Sequence, residues 1–287
     1  MERKLFCDIG PTAYKISLFK CCTQRKIKDL ISSENFSKEK SKEILPNVIY
    51  SHSSLIRRTL GNADPVLQEN KAVNLSIAAP KVSGVLIKPG ETFSFWRLVG
   101  SCTKRKGYKE GLTISSGKTT SGIGGGMCQF TNLIHFMVLH SPLEITEHHH
   151  HDSYDLFPDF GRKVPFGTGT SIMYNYLDYR FKNNTDQAFQ LIITVGEKNL
   201  EGELRSEKPL NVKYHIKTKN EHFSEENGIV YRNSEVYREC IDKSSGNTIS
   251  SDLIRKNHAK VMYDTSNLVI EKPDGCFAGV GGEVNGE

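Results

Sequence analysis

The chain has 287 residues, enough for one large domain or for one medium domain with extensions. Its charge of +5 comes from scattered lysines and arginines rather than from a basic block, so nucleic acid is not an expected partner. No stretch approaches the roughly 20 apolar residues that cross a bilayer, so we expect no transmembrane segment. The composition, with 37% hydrophobic and 25% charged residues, is that of an ordinary globular protein, and it does not indicate an oligomeric state.

The beginning of the chain is polar and rich in lysine and serine, and it predicts a mostly helical N-terminal extension over residues 1–60. The first 22 residues carry charges but lack the continuous apolar core of a signal peptide. The seven cysteines are scattered without a C-x-x-C pair, which is typical of proteins in a reducing compartment. From these residues alone we expect a cytoplasmic protein.

A helix is predicted to begin after Asp64, because aspartate is a favourable N-cap and Pro65 suits the first helical position. Pro80, or the glycine four residues later, is expected to end it. The segment 84–90 then predicts a short strand that closes in a Pro-Gly turn. An aromatic stretch follows at Thr92–Trp96.

The most unusual segment, SSGKTTSGIGGGMCQ, covers Ser115–Gln129. Its glycines free the backbone to adopt positive φ angles and to approach a ligand closely. Directly after it, apolar residues recur with the spacing of a buried helix, at Phe130, Leu133, Ile134, Met137 and Val138. Ser141–Pro142 is expected to end that helix. Cys128 is therefore predicted to lie where a glycine loop enters the first turn of a buried helix.

Beyond this helix the apolar pattern changes to period two, which is typical of strands. Leu143 and Ile145 share one face. If the strand continues through the four histidines at 148–151, the odd-numbered histidines point inward with them and the even-numbered ones are solvated. Later alternations at 189–195 and 210–216 predict two more strands.

The predicted fold class is α+β, with N-terminal helices, a central buried helix after the glycine-rich loop, and a mainly antiparallel β-sheet. Residues 61–205 are expected to form the central domain, an assignment that depends on the family resemblance described below. Residues 206–287 are expected to form a β-rich extension that is partly irregular, because only weak strands are visible after about residue 220.

Cys128 is the candidate nucleophile, since unpaired N–H groups at a helix N-terminus lower the pKa of a thiol. An acyl-transfer intermediate also needs donors for its oxyanion. The backbone of Gly125 and Gly126 and the side-chain amide of Gln129 are expected to provide them. Arg162 is a candidate for holding a substrate carboxylate through two hydrogen bonds.

A cysteine nucleophile needs a histidine as its base. The inward parity favours His151 or His149 for this role. Asp152 or Asp155 could orient the imidazole, as the third member of a triad does.

Three other interpretations of these residues stay open. Cys128 could simply be a small buried side chain. Cys128, His149 and His151 would also form a zinc site with an open position, the ligand set of a zinc hydrolase. Finally, the glycine loop and the aromatic stretch with Trp96 could form a non-catalytic cradle for a peptide.

The same segments carry a family resemblance. The ordered motifs are KPGETFSFWRLVG at Lys88–Gly100, GYKEGL at Gly107–Leu112, and the long runs Gly122–His151 and Ser153–Asn183. Together they resemble proteins of the VanW family over about Val66–Glu203, roughly half of the chain.

The resemblance implies cell-wall or glycopeptide-resistance biology. In larger family members the domain looks like a cysteine-dependent L,D-transpeptidase, which cross-links peptidoglycan stem peptides. On that analogy Cys128 would attack the peptide bond between an L-centre and D-Ala and form a thioester, with His151 favoured as the base. Family members often have arginine where this chain has His148, so the match between the histidines stays open.

The expected partner is accordingly a peptidoglycan stem peptide or its precursor. Association with the cell envelope is the alternative to a cytoplasmic location. The cysteine chemistry requires no cofactor, and zinc is the alternative.

Overall fold

The computed structural model describes residues 5–57, 64–115, 118–150, 153–159, 164–174 and 176–271. The chain divides into two compact units. Unit 1 consists of Met1–Thr113, Thr120–His150 and Thr170–Leu210. Unit 2 consists of Ile114–Thr119, His151–Gly169 and Asn211–Glu287.

The described residues contain four α-helices and fifteen strands. The helices are α1 (Pro11–Ile31), α2 (Pro65–Val82), α3 (Phe95–Val99) and α4 (Met127–Leu139). The first seven strands are β1 (Asn35–Phe36), β2 (Asn47–Leu55), β3 (Leu86–Ile87), β4 (Glu91–Ser94), β5 (Glu110–Ser115), β6 (Lys118–Ile123) and β7 (Glu144–Glu147). The others are β8 (Tyr154–Asp155), β9 (Arg180–Lys182), β10 (Phe189–Val195), β11 (Asn199–Ser206), β12 (Val212–Glu226), β13 (Ile229–Asp242), β14 (Thr248–Val261) and β15 (Ile270–Glu271). The predicted α+β class is confirmed.

Unit 1 contains two four-stranded sheets, in the orders β1-β4-β9-β7 and β2-β11-β10-β3. Helix α4 packs on β2 and β11, and helix α2 packs on β10. The core between these elements consists of fully buried apolar side chains, among them Phe93, Phe95, Phe130, Leu133, Ile134, Leu191 and Leu204. Ten of the thirteen residues of α4 are buried, as expected for a helix with an apolar stripe that covers most of its circumference.

The predicted start of α2 is confirmed. The Asp64 carboxylate accepts a hydrogen bond from the backbone N–H of Val66 at 2.9 Å, and Pro65 occupies the first helical position. The helix continues past Pro80 to Val82, slightly further than the earlier of its two predicted ends. Within the described residues no helix combines the length and the apolar character needed to span a membrane.

The first 60 residues, predicted to be mostly helical, contribute both a helix and strands to unit 1. After α1, strand β1 pairs in parallel with β4, and β2 pairs antiparallel with β11 over its whole length. The pattern of residues 47–55 has mainly polar or half-buried positions, so its strand character depends on the partner strand rather than on local alternation.

Unit 2 contains a five-stranded sheet in the order β15-β12-β13-β14-β8. Its three central strands have 14 or 15 residues each and pair antiparallel. The expectation of weak, partly irregular strands after residue 220 was wrong for β12–β14. Strands β12 and β14 expose much of their length to solvent, so their sequences lack the apolar alternation that marks a half-buried strand.

Candidate thiol site

The glycine loop leads into α4 through two residues with positive φ, as the sequence predicted. Gly124 has φ of +81°, and Gly126, the N-cap of α4, has φ of +105°. Such angles are accessible to glycine without strain. Cys128 is consequently the second residue of α4, and its predicted place in the first turn is confirmed.

The loop is packed tightly against the beginning of β5. A Cβ atom on Gly125 would lie 2.2 Å from the carbonyl carbon of Gly111, so the two backbones are in direct contact. The fully buried amide of Asn74 donates hydrogen bonds to the carbonyls of Gly125 and Lys109, at 2.9 and 3.0 Å. It also accepts one from the N–H of Lys109 at 2.7 Å. These contacts fix the position of the first turn of α4.

Two of the predicted oxyanion donors, Gly125 and Gln129, form hydrogen bonds within the protein. The N–H of Gly125 donates to the carbonyl of Gly122 at 3.1 Å, and a Cβ on Gly126 would lie 2.3 Å from Cγ of Lys71. The Gln129 amide donates to the hydroxyl of Ser54 and to the carbonyl of Leu55, at 2.9 and 2.8 Å. Gln129 thereby anchors α4 to β2, and its role as an oxyanion donor stays a prediction.

The environment of the Cys128 thiol differs from the sequence expectation. The residue is partly buried, and burial raises the pKa of its thiol. The backbone N–H groups of Ile172 and of Cys128 itself act in the opposite direction, but the net shift is upward. The expected lowering of the pKa was therefore wrong, because the loss of hydration outweighs the N–H groups at the start of the helix.

A short segment, 170–172, runs along the polar face of α4. The N–H and hydroxyl of Thr170 both donate to the side-chain oxygen of Asn132, at 2.6 and 2.8 Å. The next residue, Ser171, donates its N–H to the carbonyl of His149 at 2.7 Å. The one after that, Ile172, presents its N–H to the sulfur of Cys128. Consecutive backbone groups of one segment thus link Cys128 to the beginning of the histidine run.

A β-bulge at the end of β7 changes the face on which the histidines lie. Ile145 pairs with the buried Phe181, but Glu147 pairs with the next residue of β9, Arg180, so Thr146 is an extra residue. One extra residue in a strand moves each side chain that follows it to the opposite face of the strand. The parity argument for inward odd-numbered histidines was therefore wrong.

The even-numbered histidine next to the bulge packs inward instead of being solvated. The ring of His148 stacks on that of His135 in α4, with centroids 4.3 Å apart. His135 is buried, and its Nδ1 lies 3.1 Å from the hydroxyl of Tyr179. Burial lowers the pKa of His135 well below 6.5, and the charges of His148 and His150 lower it further.

His149 shares the opposite face with Glu147, to which it is bound. Its Nε2 lies 2.9 Å from the Glu147 carboxylate, which also accepts two hydrogen bonds from Arg25 and one from the N–H of Asp178. Burial acts to raise the pKa of Glu147, but these hydrogen bonds lower it overall, so the carboxylate is ionised. Glu147 is therefore the carboxylate that contacts His149, and the sequence analysis had not considered it.

The other candidate, Asp155, has partners of its own, and its role as an orienting carboxylate stays a prediction. It belongs to unit 2, where it accepts hydrogen bonds from Arg232 and from the hydroxyl of Tyr263, at 3.3 and 2.9 Å. His151, Asp152 and Arg162 lie outside the described residues, and their predicted roles stay predictions.

Two of the other interpretations, the peptide cradle and the zinc site, have different outcomes. The aromatic stretch does not form a ligand cradle, because Phe93 and Phe95 are fully buried and Trp96 is 6% exposed. Among the described residues no three histidine, cysteine or acidic side chains form a group that could hold a metal. The zinc alternative requires His151 and stays a prediction.

A surface cavity of about 240 Å³ is lined by Leu55, Arg57, Glu197 and Lys198 and contains none of the predicted site residues.

Comparisons with known proteins agree on one family. Residues 70–205 match the family described as VanW like protein. The chain is 34% identical over 219 residues to the vancomycin B-type resistance protein VanW of Enterococcus faecalis (strain ATCC 700802 / V583). The aligned residues cover 76% of this chain and 79% of that protein. It is 30% identical over 122 residues to the uncharacterized protein YoaR of Bacillus subtilis (strain 168), covering 42% and 37% of the two chains. No solved structure matches the chain. From the match across most of both sequences, we conclude that this chain belongs to the VanW family.

Proposed function

We propose that the chain acts in the cell-wall biology of glycopeptide resistance. We further propose that it is a cysteine-dependent acyltransferase or hydrolase, similar to L,D-transpeptidases, that acts on peptidoglycan-type peptides. The similarity to the vancomycin B-type resistance protein supports the first part. The second part depends on the surroundings of Cys128.

The observation that carries the chemical proposal is the 170–172 segment. It connects the sulfur of Cys128 to the backbone of His149 through the adjacent N–H groups of Ile172 and Ser171. The imidazole of His149 is in turn held by the ionised Glu147. A thiol at a helix N-terminus and an imidazole bound by a carboxylate are the groups that nucleophilic catalysis uses, and we propose that they act together here.

In the proposed reaction His149 accepts the proton of the Cys128 thiol, and the sulfur attacks the carbonyl carbon of the peptide bond before D-Ala. The C–N bond then breaks, and the imidazolium returns its proton to the departing amine of D-Ala. The resulting thioester passes its acyl group to an acceptor amine or to water, which restores the thiol. His151 is the alternative base for the same steps.

The raised pKa of Cys128 sets a condition on this reaction. The thiol is protonated in the unbound protein, so the proton has to move to the imidazole when the substrate is in place. We therefore expect slow alkylation of Cys128 by iodoacetamide at neutral pH and faster acylation by a true substrate.

The direct test incubates the protein with a synthetic stem tetrapeptide that ends in an L-centre followed by D-Ala. Intact-mass spectrometry should detect an acyl group on Cys128 and release of D-Ala. Cys128→Ser should abolish both, and His149→Ala should slow acylation by about 10²-fold or more. His151→Ala tests the alternative base, and His215→Ala, at an exposed position in β12, is the matched control.

Two results would reject the chemical proposal. Binding of the tetrapeptide that is unchanged in Cys128→Ser, with no acyl adduct on the wild type, would favour a non-catalytic wall-peptide-binding accessory module. Zinc near one equivalent in protein purified without a tag, lost on substitution of Cys128, would favour the zinc hydrolase, whereas less than about a tenth of an equivalent would exclude it.

A further inference from the structure

Helix α1 is attached to the rest of unit 1 through polar side chains. Arg25 forms two hydrogen bonds with Glu147, at 2.6 and 2.5 Å. One turn later Asp29 accepts two hydrogen bonds from Arg180, both at 2.8 Å. The thiol of Cys22 points at the carbonyl of Tyr174, 3.6 Å away. The face of α1 that contacts the protein is thus the charged one.

The opposite face of α1 is apolar and exposed. Its large apolar residues are 52–82% exposed and comprise Ile16, Phe19, Ile27, Leu30 and Ile31. At 100° per residue these five positions fall within an arc of about 120°, centred opposite Arg25 and Asp29. Leu5, Phe6 and Ile9, just before the helix, are also more than half exposed.

This arrangement is the reverse of an ordinary surface helix, which turns its apolar stripe toward the core. In α1 the sole buried residue is Ala13. An apolar stripe that extends over the length of the helix is a surface that soluble monomers rarely leave uncovered.

Three lysines flank the apolar stripe of α1, and a fourth, Lys20, lies within it. Lys15, Lys20, Lys26 and Lys28 are all exposed, while the one acidic residue of the helix, Asp29, is bound to Arg180. The charge that α1 presents to its surroundings is therefore entirely positive. A partner that fits this face has an apolar interior and an anionic border.

We propose that α1 is an interfacial helix that docks the protein on an anionic phospholipid bilayer. The apolar stripe enters the boundary between headgroups and acyl chains, and the lysines lie at the level of the lipid phosphates. The helix lies in the plane of the membrane and does not cross it. The proposal depends on α1 alone and stands independently of the chemistry of Cys128.

The test is co-sedimentation of the full chain with vesicles of phosphatidylcholine that contain about 30 mol% phosphatidylglycerol, compared with pure phosphatidylcholine. We expect binding to the anionic vesicles that weakens when salt is raised from about 50 to about 500 mM. Phe19→Ser combined with Leu30→Ser should abolish it. Each of Lys20→Gln and Lys26→Gln should weaken the partition about fivefold, since a lysine near an anionic surface contributes about 1 kcal/mol.

The matched control is Val66→Ser, because Val66 is also an apolar residue that is more than half exposed, on another helix of unit 1. It should bind like the wild type. All substituted side chains are exposed, so circular dichroism should show an unchanged fold. Equal binding to neutral and anionic vesicles, or none at low salt, would overturn the proposal. So would a dimer in sedimentation equilibrium that Phe19→Ser and Leu30→Ser dissociate, because a second copy would then cover the stripe.

Discussion

At the scale of single residues, the close contact between Gly125 and Gly111 determines how α4 begins. The backbone of Gly125 touches the carbonyl group of Gly111, which leaves no room for a methyl group. Gly122, in the same loop, has no such restriction, because a Cβ there would make an ordinary contact with Thr113 at 3.4 Å. Neither Gly125 nor Gly122 has a positive φ, so the two positions differ in space rather than in backbone strain.

We therefore expect Gly125→Ala to lower the free energy of unfolding by about 3 kcal/mol, because backbone atoms have to move to admit the methyl group. Gly122→Ala should change the free energy of unfolding by less than about 0.5 kcal/mol. The methyl group fits in β6, and alanine lowers the conformational entropy of the unfolded chain. Urea denaturation measures both values. Equal values for the two variants would contradict the packing argument.

His135 is a second residue whose surroundings determine a measurable property. Its pKa lies well below 6.5 in the folded chain, because burial and the nearby His148 and His150 oppose a positive charge. In the unfolded chain the ordinary value returns. Below about pH 6.5 the unfolded state therefore binds a proton that the folded state does not. This contribution to stability is fully present above pH 6.5 and is lost as the pH falls.

Urea denaturation between pH 5 and 8 should accordingly show a free energy of unfolding that decreases on the acid side, by up to about 1.4 kcal/mol per pH unit from this group. His135→Gln, which keeps a hydrogen-bonding group for Tyr179, should flatten that slope. His215→Gln, on the exposed face of β12, should leave it unchanged. An identical slope in wild type and His135→Gln would show that another group causes the acid sensitivity.

At the scale of elements, the sequence predicted those parts that depend on local pattern. The N-cap at Asp64, the apolar stripe of α4 and the first-turn position of Cys128 are all local, and all are confirmed. The bulge at Thr146 is not encoded in the alternation of β7, because it depends on how β9 pairs with it. The parity argument therefore selected the wrong histidine face, and the pairing of His149 with Glu147 was missed.

Helix α1 illustrates how polar side chains hold an element whose large apolar residues are mostly exposed. The pair between Arg25 and Glu147 is about 15% exposed on each side, and both hydrogen bonds are short. The pair between Arg57 and Glu69 has similar two-point geometry but is about half exposed. The two pairs therefore differ mainly in how much water surrounds them.

We expect Arg25→Met to destabilise the chain by about 2 kcal/mol, because it removes two charge-assisted hydrogen bonds from the largely buried Glu147 carboxylate and leaves the longer contact with Arg180, at 3.5 Å. Arg57→Met should have an effect below about 1 kcal/mol, since water compensates an exposed carboxylate. Hydrogen exchange should become faster in the amides of α1 for Arg25→Met alone. Unchanged exchange in α1 would mean that Asp29 and Arg180 hold the helix without this pair.

At the scale of the whole molecule, the division into units could not be derived from the order of elements. Unit 2 combines the C-terminal strands with 114–119 and 151–169, two segments that lie far from them in sequence. Strand β8 has two residues and pairs with β14 roughly 100 positions later, a register that only the folded sheet specifies. Sequence pattern showed where strands lie but not which unit each one joins.

The two units also differ in how they are stabilised. Nearly all fully buried apolar side chains of the described residues belong to unit 1. In unit 2 the buried apolar residues are Val236, Ala259 and Val261, in β13 and β14. Beside them lies a buried ion cluster, in which Arg232 contacts Asp155 at 3.3 Å and also binds Asp159 and Glu221.

Because its apolar core is small, unit 2 should depend strongly on Arg232, which is 5% exposed. Calorimetry of the wild type should show two transitions, with unit 2 unfolding at the lower temperature. Arg232→Met removes a cation that contacts the buried Asp155, so we expect the lower transition to fall by at least about 10 °C, from a loss of about 3 kcal/mol or more. The upper transition should stay in place.

The control is Lys256→Met, which removes an exposed partner of Glu235 and should shift neither transition. A single transition that moves as a whole in Arg232→Met would mean that the two units unfold as one, and that the ion cluster stabilises the entire chain.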